Sequence, residues 1–119
     1  MTAARDPEQF LPLTPAVFHI LLALAEGDRH GYEIMKEVEA ATRGVVKMGP
    51  GTLYGTIKRL LEQGLINESG ERPDPDEDDE RRRYYHLTAV GRSVLETEAR
   101  RYEQLVKAAR SKGVKLSPA

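Results

Sequence analysis

Apolar residues are clustered along the chain, and the spacing inside each cluster names an element. Val17, Phe18, Ile20, Leu21, Leu22, Leu24 and Ala25 cover more than one helical stripe, which predicts a largely buried first helix. Thr14 supplies a hydroxyl cap, Pro15 fits the first turn and Gly27 ends the helix. Asp28-Arg29-His30-Gly31 starts a second helix, whose apolar positions are Tyr32, Ile34, Met35 and Val38. Its outer positions are Lys36, Glu37 and Glu39. Ala40 and Ala41 permit close packing, and Gly44 closes it. Val45-Val46-Lys47 is β-prone and reads as one extended bridge. Gly49-Pro50-Gly51 then turns the chain into a third helix, with Leu53, Ile57, Leu60 and Leu61 in one stripe and Gly64 as the left-handed residue past its end.

Residues 65–69 read as a strand and residues 81–87 as its antiparallel return, with Tyr85 and Leu87 on one face and Tyr84 and His86 on the other. Thr88 caps a last helix running to about Arg110 or Lys112. Its apolar residues Leu95, Ala99, Tyr102, Val106 and Ala109 are spaced 4, 3, 4 and 3 apart, the heptad pattern of a packing seam. So long a terminal helix has little of its own domain left to cover it, so the seam is expected to pair with a second copy in a homodimer. The competing reading folds it back onto the first helix, and the two are compatible.

Three helices, a hairpin and a further helix give a mainly α fold, a winged helix-turn-helix followed by a C-terminal dimerisation helix. The expected divisions are a flexible N-terminal arm (1–12), the winged helix-turn-helix (13–88, with its wing loop at 70–80), the dimerisation helix (89–112) and a frayed tail (113–119). Phe10 and Leu11 in the arm have no contact that the sequence assigns.

The chain has 119 residues and a net charge of −1, so no overall basic excess points to nucleic acid. The distribution says more. Six acids fall among the seven residues 74–80, which leaves the rest of the chain mildly basic. There is no cysteine, which excludes disulfides and thiolate chemistry. The N-terminus lacks the apolar core of a signal peptide, and the apolar run from Ile20 to Ala25 is too short to span a bilayer. The expectation is a soluble cytoplasmic protein with no membrane partner.

Chemistry concentrates on the third helix. Its outer face shows Thr52, Tyr54, Gly55, Thr56, Lys58 and Arg59, with no acid before Glu62. Small residues permit close approach, hydroxyls and the ring suit bases or phosphates, and the cations suit phosphates. In the winged-helix geometry this helix enters the major groove of double-stranded DNA while the hairpin reaches the adjoining backbone. Arg81, Arg82 and Arg83 at the wing's base are then placed for phosphates, and Tyr32 could set its hydroxyl on the backbone. Each has a plainer alternative: Tyr54 packed on the wing, Tyr32 buried against the third helix, Lys58 or Arg59 merely solvated. His30 is read as a helix cap.

Enzyme readings fare badly. His19, His30 and His86 lack metal-ligand spacing, Gly49-Pro50-Gly51 is neither a dinucleotide fingerprint nor a P-loop, and the acidic run lacks the EF-hand pattern. No catalytic residue, metal or cofactor is expected. The remaining rival is a winged-helix adaptor that binds another protein.

The same residues resemble a known family. His30-Gly31-Tyr32-Glu33-Ile34, Gly51-Thr52-Leu53-Tyr54 with Lys58-Arg59-Leu60 and Gly64-Leu65-Ile66, and Arg83-Tyr84-Tyr85-His86-Leu87-Thr88 with Gly91 are similar, in that order, to motifs of the PadR family of winged-helix transcription regulators. The resemblance covers roughly residues 13–110 and is closest to the short subgroup with a single C-terminal helix. It implies a homodimeric repressor of an inverted repeat, often released by a small aromatic or hydrophobic effector. Two departures stand out. Many relatives carry proline after Tyr54, where this chain has Gly55. The acidic wing tip would be repelled by phosphates, so it is expected either to point away from DNA, the favoured reading, or to fold onto the protein's own arginines and restrain binding.

Overall fold

The computed structural model describes residues 6–69 and 83–117. Four helices, α1 (Pro15–Ala23), α2 (Gly31–Ala41), α3 (Pro50–Glu62) and α4 (Ala89–Ser111), surround a small sheet of β1 (Arg29–His30), β2 (Ile66–Glu68) and β3 (Tyr84–Leu87). The strand order is β1-β3-β2, antiparallel throughout, with Ile66 opposite Leu87 and Arg29 opposite Tyr85. The fold is a winged helix-turn-helix: α2 and α3 form the helix-turn-helix, and β2 and β3 the wing.

Local chemistry sets most boundaries. Thr14 Oγ1 accepts from Val17 N–H at the start of α1. At its other end, Arg29 Nε donates to Ala23 O (3.1 Å) and Arg92 Nη2 to Ala25 O (2.8 Å), so two cations satisfy the trailing carbonyls. His30 caps α2 reciprocally: its Nδ1 accepts from Glu33 N–H while Glu33 Oε1 accepts from His30 N–H. Past α3, Gly64 takes φ 76°, Leu65 N–H bonds Leu60 O and Gly64 N–H bonds Leu61 O. That is the Schellman ending, and only glycine adopts it without strain.

The core joins all the layers: Ile20, Leu21 and Leu24 of α1 and the segment after it, Ile34 and Val38 of α2, Leu53, Ile57 and Leu60 of α3, Ile66 and Tyr85 of the wing, and Val94 and Leu95 of α4. α4 is seated where α3 ends. Thr88 Oγ1 donates to Gly64 O (2.7 Å), Thr88 N–H bonds Leu65 O (3.1 Å), and Gly91 packs directly on that carbonyl.

Several expectations are corrected. Residues 6–12 are not a free arm: Pro7–Phe10 forms a 3-10 turn against α4, and Phe10, Leu11 and Leu13 pack on the core. Residues 1–5 lie outside the described residues. Val45-Val46-Lys47 forms no strand, and Val45 is 85% exposed. The third strand is instead Arg29–His30, read in the sequence as part of a helix start, because a polar pair of residues carries no alternation. The seam on α4 is divided. Leu95 lies in the protomer's own core, and the Tyr102 ring meets Phe18 of α1 edge-on at 4.8 Å. Ala99 and Val106 are exposed and Ala109 is half-buried. The fold-back reading therefore holds for the first half of α4.

Candidate nucleic-acid interface

The core stripe of α3 fixes what its opposite face presents. With Leu53, Ile57 and Leu60 buried, Gly51, Thr52, Gly55, Lys58, Arg59 and Glu62 point to solvent. Lys58 and Arg59 have no ion-pair partner among the described residues. Arg59 Nη2 lies 3.5 Å from Thr56 Oγ1, a marginal contact.

The two helical glycines are informative. A Cβ added at Gly51 or Gly55 would meet nothing within 4 Å, and neither residue has positive φ. Nothing in the fold requires glycine there, although each costs about 1 kcal/mol of helix stability against alanine. Bare backbone one turn apart, on the face that carries the cations, suits a surface approached closely by something outside the chain. Sequence reasoning does not single out Gly51; its i, i+4 spacing to Gly55 is the signal that could have found it.

Gly55→Ala is accordingly expected to act in two directions. The folded protein should gain about 0.5–1 kcal/mol in a urea or thermal melt, while any ligand that touches the helix backbone should bind about tenfold or more weakly. An alanine variant that binds as tightly as the parent would show that the bare backbone is not approached.

Two candidate residues face inward instead. Thr56 is buried, its Oγ1 donating to Thr52 O at 2.8 Å, because its position borders the Ile57–Leu60 stripe. Tyr54 is half-buried and its ring lies on the start of α2: a Cβ at Gly31 would come within 2.6 Å of the Tyr54 ring and hydroxyl. Tyr54 therefore packs on α2 and joins the two helices of the helix-turn-helix rather than projecting outward. Tyr32 is exposed on α2, with Lys36 Nζ 5.2 Å from its ring centre.

On the wing, Arg83 pairs across the strands with Glu68 at 3.5 Å, so this cation has a structural partner. Arg81, Arg82 and the acidic wing loop lie outside the described residues. The wing's root is tied down by Ser69, whose hydroxyl bonds Asp28 and lies 3.4 Å from His86 Nδ1. Serine sits between the other two, so this is not the order a hydrolytic triad needs. Among the described residues no cluster of three or more His, Asp or Glu could hold a metal, and no helix is long and apolar enough to cross a membrane.

The chain is similar in sequence and fold to known proteins. The chain is 35% identical over 89 residues to a transcriptional regulator of Mycobacterium tuberculosis, covering 75% of this chain and 77% of that one. It is 39% identical over 80 residues to an uncharacterized 37.1 kDa protein of a Streptomyces fradiae transposon, covering 67% of this chain but 21% of that protein, so it spans about a fifth of that relative's length. Among solved structures, a PadR family transcription regulator from Clostridium difficile is 26% identical with a TM-score of 0.66, covering 82% of this chain and 97% of that one. Bacillus subtilis PadR in complex with operator DNA shares the fold at 21% identity and a TM-score of 0.60, covering 72% and 46%. The model of the PadR-like family of transcriptional regulators matches residues 20–97, from the middle of α1 through the wing into α4. With that span exceeding half the chain, the protein belongs to the PadR-like family of transcriptional regulators.

Proposed function

We propose that the protein is a sequence-specific DNA-binding repressor that acts as a homodimer on an inverted repeat and is released by a small hydrophobic or aromatic effector. The observation that carries this reading is the solvent face of α3, where Thr52, Lys58 and Arg59 flank two glycines that the fold does not need. Thr52 lies in the first turn, where helix N–H groups favour a phosphate. Gly51 and Gly55 let the backbone approach base edges, and the cations meet phosphates. Tyr32 on α2 and Arg83 beside the wing, with Arg81 and Arg82 next to it in the chain, would add flanking backbone contacts.

Support for the dimer comes from the far half of α4. Leu105 and Val106 are 53% and 40% exposed, and Leu22 on α1 is 46% exposed. Ala99, Val106 and Ala109, joined by Leu105, remain the proposed seam, while Leu95 and Tyr102 act from inside each protomer. A paired α4 would hold the two α3 helices about 34 Å apart, one turn of duplex. A molecule lodged between α1 and the paired helices would change that separation and lower affinity.

Selection of bound sequences from a random duplex pool tests the reading. A palindrome with half-sites about one helical turn apart is expected. Val106→Asp should yield monomers by sedimentation and fail to retain that palindrome. Failure to enrich any duplex at low salt would favour the protein–protein adaptor, and a dimer that survives Val106→Asp would put the seam elsewhere.

A further inference from the structure

Glu98 is the one buried charged side chain among the described residues, at 0% exposure in the middle of α4. A buried carboxylate costs several kcal/mol unless fully satisfied, and an apolar residue of similar volume often does as well or better for stability. Glu98 is well satisfied. Oε2 accepts from Leu13 N–H (2.8 Å) and Arg101 Nη2 (3.0 Å), and Oε1 accepts from Arg101 Nε (2.5 Å). The Arg101 guanidinium, against the opposing effect of burial, holds the carboxyl below its usual range. What a leucine at this position could not do is grip the backbone of residue 13.

Residue 13 ends the N-terminal segment, and that segment stands between two elements. On one side it forms a groove of about 740 Å³ with α4, lined by Pro7, Leu11 and Pro12 opposite Thr97, Arg100 and Gln104. On the other it forms a groove of about 300 Å³ with α3, where Phe10, Pro12 and Leu13 face Thr56, Arg59 and Gln63. Pro12 borders both. Residues 6–13 are thus a wall shared by the proposed dimer helix and the proposed recognition helix.

The leverage is geometric. α4 is anchored at its start by Thr88 and Gly91 on the end of α3. Glu98 sits about 15 Å further along the axis and Val106 about 27 Å, at roughly 1.5 Å per residue. A swing about the Thr88 end that Glu98 leaves unchecked grows almost twofold by the seam. We infer that residues 6–13 are a strap between α4 and α3, and that Glu98 is the positioning residue that locks it, so fixing the half-site separation the dimer accepts. This rests on the homodimeric DNA-binding reading above.

The experiment uses the full chain and a series of duplexes carrying the selected half-sites at separations changed by one and two base pairs, with a single half-site as reference. The parent should lose roughly tenfold in affinity per step away from the best separation. Glu98→Leu should flatten that preference to less than about threefold while dimerisation and single half-site binding are kept. Glu98→Gln, which retains an oxygen for Leu13 N–H, should restore most of it. Phe10→Ala loosens the strap without touching Glu98, so it should flatten the preference even where Glu98→Leu fails to fold. Folded, dimeric Glu98→Leu and Phe10→Ala proteins that discriminate separation as steeply as the parent would overturn the strap alone. A parent with no preference among separations would overturn the dimeric reading, and the strap with it.

Discussion

Gly91→Ala is expected to cost the fold about 3 kcal/mol or more, which lowers the melting temperature by roughly 10–20 °C for a chain of this size. A Cβ at Gly91 would fall 1.9 Å from the Leu65 carbonyl oxygen and 2.9 Å from its carbon. Neither side can yield cheaply. The Leu65 oxygen already accepts from Thr88 N–H at 3.1 Å, and Leu65 is itself buried. The substitution therefore lifts the first turn of α4 off the end of α3 or breaks the cap that starts it. Circular dichroism melts of the variant and parent measure the effect, and Gly55→Ala is the internal control, since the same added methyl there meets open space. A Gly91→Ala loss under about 1 kcal/mol would mean that α4 is not seated on Leu65.

The double substitution Lys58→Ala and Arg59→Ala should leave the fold intact and weaken duplex binding by between about a hundredfold and a thousandfold at moderate salt. Both side chains are exposed and make no ion pair among the described residues, so little of the protein's own stability depends on them. In a homodimer the change removes four cations from the interface. The slope of log affinity against log salt should then become shallower by roughly 3–4, close to one unit for each lost phosphate contact. Fluorescence anisotropy across a salt series reads both quantities. A weakened complex with an unchanged slope would mean that the cations act through the protein's structure, and unchanged binding would remove α3 from the interface.

Much of this molecule is legible from local signals. Thr14, His30, Thr88 and Gly64 each act on atoms within a few residues of themselves, so one end of each of the four helices follows from residue type and spacing. The apolar stripe of α3 likewise dictates that Lys58 and Arg59 face outward. The motifs carry the family as well, since His30-Gly31 and Gly51-Thr52-Leu53-Tyr54 lie inside the matched span.

What failed to show depends on partners distant in the chain. Tyr54 looks free on a helical wheel, because only the arrival of Gly31, with no side chain to keep the ring away, makes it a joint between α2 and α3. Arg29–His30 becomes a strand only because Tyr84 and Tyr85 come alongside. Leu95 and Tyr102 fit a heptad as well as Val106 does, and no spacing rule reveals that the first is buried in the protomer's core, the second meets Phe18 of α1 and the last is exposed. Glu98 reads as one more surface acid of a charged helix, until Leu13, 85 residues earlier, brings its N–H to it. The sequence alone determined the four helices, several of their caps and the outward placement of Lys58 and Arg59, because those depend on interactions within a turn or two. The tertiary structure decided which side of each remaining residue is covered, because burial is set by segments the chain brings together from far apart.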